Sequence, residues 1–350
     1  MFGKLEYATG REIIAEGRAY LFFGGTAYLG LNAYGPFVDL FKRGIDQYGL
    51  NNGNSRANNV QLAIYPVAEE VAAERFGTES ALVLSSGFLS AQVVVGHLAP
   101  QYDELHYAPH SHPALWVGGE PAVAAEGFKS WGSQLVKHIN GSPRSRFLVS
   151  SNTVDALRPE RYDFGAFGAI RPGKEVHFLL DDSHGLGVLD GLSTFRMLRD
   201  RGFRVTVVAS LAKAFGVDAG VVLGDGQTIA ALRATPAFRG ASPPSPAGMY
   251  AFVHGERIYK ERLERLRENI ALFTAGIGRG QFQYIPQFPV FYTADQTMYA
   301  RLAKAGILIS SFPYSSPTGP GHTRIVISAA HTTEDIRRLL GALAELPRGA

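Results

Sequence analysis

Four short apolar runs, Ala81–Leu84, Phe147–Ser150, Val176–Leu180 and Val205–Ala209, recur between stretches of polar or helical character. Runs of this length read as strands buried on both faces. Their alternation with helical segments predicts a mainly parallel sheet covered on both sides. Two amphipathic helices precede them. One begins near Phe37 and carries Phe37, Leu40, Phe41 and Ile45 on one stripe; the other, Val67–Phe76, stops at Gly77. The first 35 residues read as an arm, with an extended piece at Tyr20–Phe23 and a turn-rich segment at Gly24–Pro36.

After about residue 235 the pattern changes. Pro243-Pro-Ser-Pro246 interrupts the chain, and Gly248–Gly276 reads as one long, charge-laced helix. A smaller α+β unit follows, with strands expected at Val290–Tyr292, Ile307–Ser310 and Arg324–Ile327. Helices are expected at Gln296–Ala305 and Thr333–Leu346, the last with Glu334 and Asp335 where negative charge suits the dipole. The chain therefore divides into an N-terminal arm (1–36), a large domain (37–235) and a C-terminal small domain (236–350).

Composition narrows the chemistry. Of 350 residues 46% are hydrophobic and 19% charged, which supports a large core rather than a disordered chain. Cysteine is absent, so disulfides, thiolate metal centres and cysteine nucleophiles are excluded. A net charge of +3 without blocks of like charge argues against a nucleic-acid partner, while suiting an anionic substrate such as a phosphate or nucleotide thioester. No apolar stretch reaches membrane-spanning length and the N-terminus has no signal-like apolar region, so a cytoplasmic protein is expected.

In a parallel sheet ligands bind beyond the carboxyl ends of the strands, so the residues after each run matter most. Val205–Ala209 runs into Ser210-Leu-Ala-Lys213-Ala-Phe-Gly216. The chain has eight lysines, and the others lie in polar or helical surroundings. Lys213 is either a partly desolvated Schiff-base amine or an ordinary lysine at a helix start. Val176–Leu180 runs into Asp181-Asp182-Ser-His184-Gly-Leu-Gly187. A carboxylate there can keep a pyridinium nitrogen protonated. Loop capping, metal binding by Asp181 and His184, or part of a dinucleotide turn with its third glycine misplaced are the other uses. Ser80–Leu84 runs into Ser85-Ser86-Gly87-Phe88, either an anion cradle at a helix N-terminus or a plain N-cap. His106, His110 and His112 have a spacing that suggests zinc, but Pro109 and Pro113 break any helix that would align them. Stacking of one histidine on a cofactor ring is the other use.

Together these residues form an ordered set: phosphate cradle at Ser86, Gly87 and Phe88, ring-stacking His112, pyridinium partner Asp181, then Ser210 and Lys213. That is the set a pyridoxal phosphate site requires, with no metal in it.

The chain resembles the pyridoxal-phosphate-dependent α-oxoamine synthase family (8-amino-7-oxononanoate synthase-like) of the fold-type-I aminotransferase superfamily. The resemblance rests on Ala27-Tyr-Leu-Gly-Leu31, Gly53-Asn-Ser-Arg56, Ser86-Gly-Phe88, Ser111-His112, Asp181-Asp-Ser-His-Gly185, Ser210-Leu-Ala-Lys213-Ala-Phe-Gly216, Ser242-Pro-Pro244 and Ser328-Ala-Ala-His331. It implies a fold-type-I transferase, α/β, with a mainly parallel large domain and a smaller α+β C-terminal domain. It also implies a homodimer that condenses an amino substrate with an acyl thioester through a Lys213 Schiff base. An aminotransferase, or other carbanion chemistry on a non-standard amino substrate, is the alternative.

Carried over by position, Lys213 is the Schiff-base and acid–base residue, Asp181 the pyridinium partner, His184 the partner of the ring hydroxyl and His112 the residue stacked on the ring. Gly87 and Phe88 supply backbone to the phosphate and Ser210 a hydroxyl. The chain departs from the family at Thr26, where an asparagine is usual, at Asp155, where a serine is usual, and at Gly240-Ala241 in place of Thr-Ser. Arg239 is positioned to replace the charge lost there. An ungapped count puts Phe312 where the family's carboxylate-binding arginine stands. Either Arg324 or Arg56 then holds a carboxylate, or the substrate is not an ordinary α-amino acid. Phe22, Phe23, Phe312 and Tyr314 are aromatic candidates for either the pocket lining or the core.

Overall fold

A computed structural model describes residues 5–123, 127–189, 192–313 and 321–345. Its larger sheet has six strands in the order Ser80–Leu84, Gly220–Gly224, Arg204–Ser210, Glu175–Asp181, Arg146–Asn152 and Glu104–Tyr107. The last four pair in parallel, and Gly220–Gly224 runs antiparallel to both its neighbours. All four apolar runs read from the sequence are strands of this sheet. Glu104–Tyr107 and Gly220–Gly224 join them without such a signal: the first is a half-buried edge strand with polar residues, the second a five-residue strand closed by glycine at each end.

Two large apolar clusters cover the sheet's faces. One includes the rings of Phe164, Phe167 and Phe178, with the last two meeting edge to face at 5.1 Å. The helix Gly35–Tyr48 buries Phe37, Leu40 and Gly44 rather than Ile45, which is exposed. A Cβ on Gly44 would stand 2.7 Å from Ala247 Cα, so the two helices meet backbone to backbone on a side of the stripe that carries no large side chain. The expected long helix Gly248–Gly276 is two helices, Pro246–His254 and Glu256–Gly276, divided at Gly255. A side chain at Gly255 would meet the Ala251 carbonyl and the Tyr259 ring.

The second sheet orders its strands Glu12–Ala15, Arg18–Phe23, Ile307–Phe312, His322–Val326, Val290–Thr293 and Gln283–Tyr284. The N-terminal segment is thus built into a sheet whose other strands come from the last seventy residues or so. Leu21, Phe22 and Phe23 pair in parallel with Ile307, Leu308 and Ile309. Phe23 is fully buried, stacked on His331 at 4.0 Å, so it belongs to the core. Tyr314 lies outside the described residues. Among those residues no helix is long and apolar enough to cross a membrane.

Candidate active site

Three adjacent parallel strands end at Asn152, Asp181 and Ser210, and Asn152 and Asp181 are register partners. Beyond these ends lies a cavity of about 630 Å³. His112, Asp181, His184 and Lys213 all line it, so residues spread over a hundred positions converge on one wall.

Lys213 sits in the single turn Leu211–Ala214 that succeeds the Arg204–Ser210 strand. Burial pulls its amine below the ordinary lysine value; Asp181 acts in the opposite sense and Arg324 in the same sense. A neutral amine close to neutrality is a nucleophile and a base, which a solvated lysine is not. Asp181 accepts a hydrogen bond from the Ser183 backbone at 2.9 Å. Its neighbour Asp182 faces the interior, where the Thr153 hydroxyl donates to it and Gly185 leaves room for its carboxylate.

His184 is held through Nδ1 by the Tyr28 hydroxyl at 2.8 Å. Burial takes its imidazole well below the usual histidine range, and the charges of Lys213, Arg324 and His112 act the same way. His112 is likewise lowered, first by burial, and its Nδ1 accepts from the Ala114 backbone at 3.1 Å. Its Nε2 therefore carries the proton of the neutral ring. Asn152 sets this segment: its side chain donates to the His110 carbonyl at 2.8 Å and accepts from the His112 backbone at 3.0 Å. His110 holds a left-handed φ of 57° there. Nothing in the sequence singled out Asn152. The usable signal was its place at the end of an apolar run.

Ser86 caps the helix Gly87–Leu98, accepting from the Leu89 backbone at 3.1 Å. The N–H groups of Gly87 and Phe88 belong to the helix's first turn and have no partner within it. The Phe88 side chain is exposed, so the backbone is what this residue offers the site. Gly87 packs on Ser210: a Cβ at Gly87 would stand 2.7 Å from Ser210 Cβ. The strand before this cradle is separated from the strand before Lys213 by Gly220–Gly224, and Ser86, Gly87, Phe88 and Ser210 lie outside the lining of the cavity that holds Lys213. Gly185 and Gly187 make room for Asp182 and the Phe215 ring, a packing use of glycine and not that of a dinucleotide turn. His106 bonds Glu104 and His110 bonds Arg158, so neither joins His112 as a metal ligand.

The second sheet contributes Ser310, Phe312, His322 and Arg324 to the cavity lining. Arg324, 5% exposed, projects from the His322–Val326 strand into the lining. It donates to the Ala156 carbonyl at 3.0 Å, and its Nε is buried with no hydrogen-bond partner among the described residues. Phe312 lies beside it, ring centre 5.6 Å from the guanidinium carbon. So the cation sits one strand away from the position reached by an ungapped count. Arg56 is spent elsewhere: it bonds Glu69 at 3.1 Å and covers the Tyr65 ring. Thr26 and Asp155 also line the cavity, with Asp155 accepting from the backbone of Leu157 and Arg158.

The residues fit a flat, anionic, aldehyde-bearing ring. The site offers two histidines with depressed pKa values, a carboxylate at a strand end and one half-buried amine, and nearby a helix N-terminus whose Gly87 packs against Ser210 too closely for a Cβ.

No family model matches the chain. It is similar to an 8-amino-7-oxononanoate synthase of Methylococcus capsulatus, 29% identical over 358 residues that take in 95% of this chain and 91% of that protein. A second 8-amino-7-oxononanoate synthase, from Pectobacterium atrosepticum, is 26% identical, with 97% and 92% covered. Among solved structures, a serine palmitoyltransferase from S. paucimobilis with a bound PLP–myriocin aldimine superposes with a TM-score of 0.83 at 19% identity, covering 97% of this chain and 90% of that one.

Proposed function

We propose that the chain, similar over nearly its whole length to 8-amino-7-oxononanoate synthases, is a pyridoxal-phosphate-dependent α-oxoamine synthase that joins the Cα of an amino substrate to the carbonyl carbon of an acyl thioester, releasing the thiol. The observation that carries the reading is the convergence of Lys213, Asp181, His184 and Arg324 on one cavity.

Asp181 would hold the pyridine nitrogen, His112 the ring face and His184 the ring hydroxyl. The Gly87 and Phe88 amides with the Ser210 hydroxyl would hold the phosphate, and Lys213 the aldehyde carbon. When bound, pyridoxal phosphate supplies a protonated ring into which the electron pair left by a departing Cα proton spreads. Lys213 takes that proton, since burial keeps its amine unprotonated more readily than a surface lysine. Arg324 orients the substrate, and its unpartnered Nε suits a carboxylate oxygen. Phe312 and Ala156 flank that guanidinium and limit water around it.

The working form we propose is a cytoplasmic homodimer. Arg239, exposed on the short helix Pro236–Gly240 beside Arg56 and Arg233, supplies positive charge toward the partner subunit's phosphate.

The test is a screen of amino acids against acyl thioesters with the cofactor-loaded enzyme, reading free thiol. Amino-acid-dependent thiol release that Lys213→Ala abolishes supports the reading. A coloured, cofactor-loaded protein that releases no thiol from any pair overturns it.

A further inference from the structure

Glu104, His106 and His138 meet outside the cavity, at the edge of the large sheet. Glu104 and His106 are two apart on the edge strand Glu104–Tyr107, so both project to one face. His138 lies in the last turn of the helix Phe128–Gly141 that packs beside it. The Nε2 atoms of His106 and His138 reach the same oxygen, Glu104 Oε2, at 3.0 and 2.6 Å. One ligand atom from each of the three residues lies within 4.8 Å of the others. The second carboxylate oxygen, Oε1, accepts from the Ser142 hydroxyl at 2.8 Å.

We propose that Glu104, His106 and His138 bind a divalent transition-metal ion of the zinc type at the sheet edge, apart from the catalytic cavity. Two imidazole nitrogens and one carboxylate oxygen form a donor set that suits Zn²⁺ and not Mg²⁺ or Ca²⁺, which take oxygen ligands. A tetrahedral ion with ligands at ~2.1 Å needs donors about 3.4 Å apart. The three atoms reach that spacing by small side-chain movements, and His138, half exposed, is free to make them. The remaining position opens to water. Ser142 orients the carboxylate as an outer partner of the metal, and the His106 ring is steadied by Phe147, at 6.2 Å and nearly parallel. The ion would tie the helix to the edge strand. This set is not the histidine trio suggested by sequence spacing, because His110 and His112 point elsewhere and the completing ligands come from positions 104 and 138.

The experiment titrates the cofactor-loaded protein with zinc chloride by calorimetry and tracks its melting temperature, with magnesium chloride in parallel. One zinc per chain should bind in the micromolar range or tighter and raise the melting temperature, and magnesium should do neither. His138→Ala and Glu104→Gln should each lose that binding while leaving the cofactor's visible absorbance unchanged, and Ser142→Ala should weaken it ~10-fold. His138 is exposed, so its variant tests the site without threatening the fold. Absence of zinc binding by the wild-type protein, or equal affinity in wild type and His138→Ala, overturns the proposal.

Discussion

Gly87 and Ser210 touch where a helix begins and a strand ends: a methyl group on Gly87 would stand 2.7 Å from Ser210 Cβ and 2.8 Å from its Cα. The contact brings the helix's free N–H groups beside the Ser210 hydroxyl. Gly87→Ala must push them apart, at a cost of about 1–3 kcal/mol for overpacking. Cofactor affinity, measured by absorbance titration, should fall at least several-fold. Unchanged affinity would remove the cradle from the site.

Lys213 has its amine pulled below the ordinary lysine value by burial. Its reaction with an added aldehyde should therefore rise with pH to a midpoint below that of a solvated lysine, since the neutral amine is the reactive form. Borohydride trapping of pyridoxal phosphate across a pH series measures this. Lys213→Ala should abolish trapping altogether, and a profile matching free lysine would count against the buried amine.

Arg324 offers the cavity a buried guanidinium with an open Nε. Arg324→Met should lower kcat/KM for α-amino acids about 10- to 150-fold, the equivalent of a charge-assisted hydrogen bond of ~1.5–3 kcal/mol. An amine lacking the carboxylate should be unaffected. Equal losses for both substrates would mean that the residue supports the fold and not the substrate.

Asn152 bonds the backbone on both sides of Ser111 and so fixes where the His112 ring lies. Asn152→Ala should lower kcat more than it alters KM for the thioester, and should shift the bound cofactor's absorbance band. Retention of both would separate Asn152 from the site.

His177 is fully buried between the Tyr102 and Thr206 hydroxyls, at 2.7 and 2.8 Å, and burial pushes it down to about 3. The unfolded chain takes up this proton near the usual histidine pKa of about 6.5, and the folded chain does not until about 3. Between these values the unfolded state binds more protons, so stability falls as the pH falls. Denaturant midpoints should decline across that window, and the decline should be shallower in His177→Gln.

Four strands of the large sheet and the order of the site residues were legible from local pattern, whereas the break at Gly255 and the strands Glu104–Tyr107 and Gly220–Gly224 were not. Apolar runs such as Val205–Ala209 must be buried on both faces, and the polar residues directly after them must sit at a sheet's carboxyl edge. Lys213, Asp181 and His184 satisfy that rule; His112 follows the polar edge strand Glu104–Tyr107 instead, and all four share a cavity. Their roles toward the cofactor rest on resemblance, because local pattern places a side chain without naming its ligand. Tertiary structure decided everything that depends on contacts between distant residues. Leu21 pairs with Ile307, which carries the N-terminal strands into the C-terminal sheet, and no local pattern encodes that partner. Arg324 enters the cavity because its strand lies beside Ile307–Phe312, where a count along the chain points to Phe312. Glu104 and His138 meet for the same reason: side-chain direction at an edge strand and a helix end is set by packing between elements, which a one-dimensional pattern does not contain.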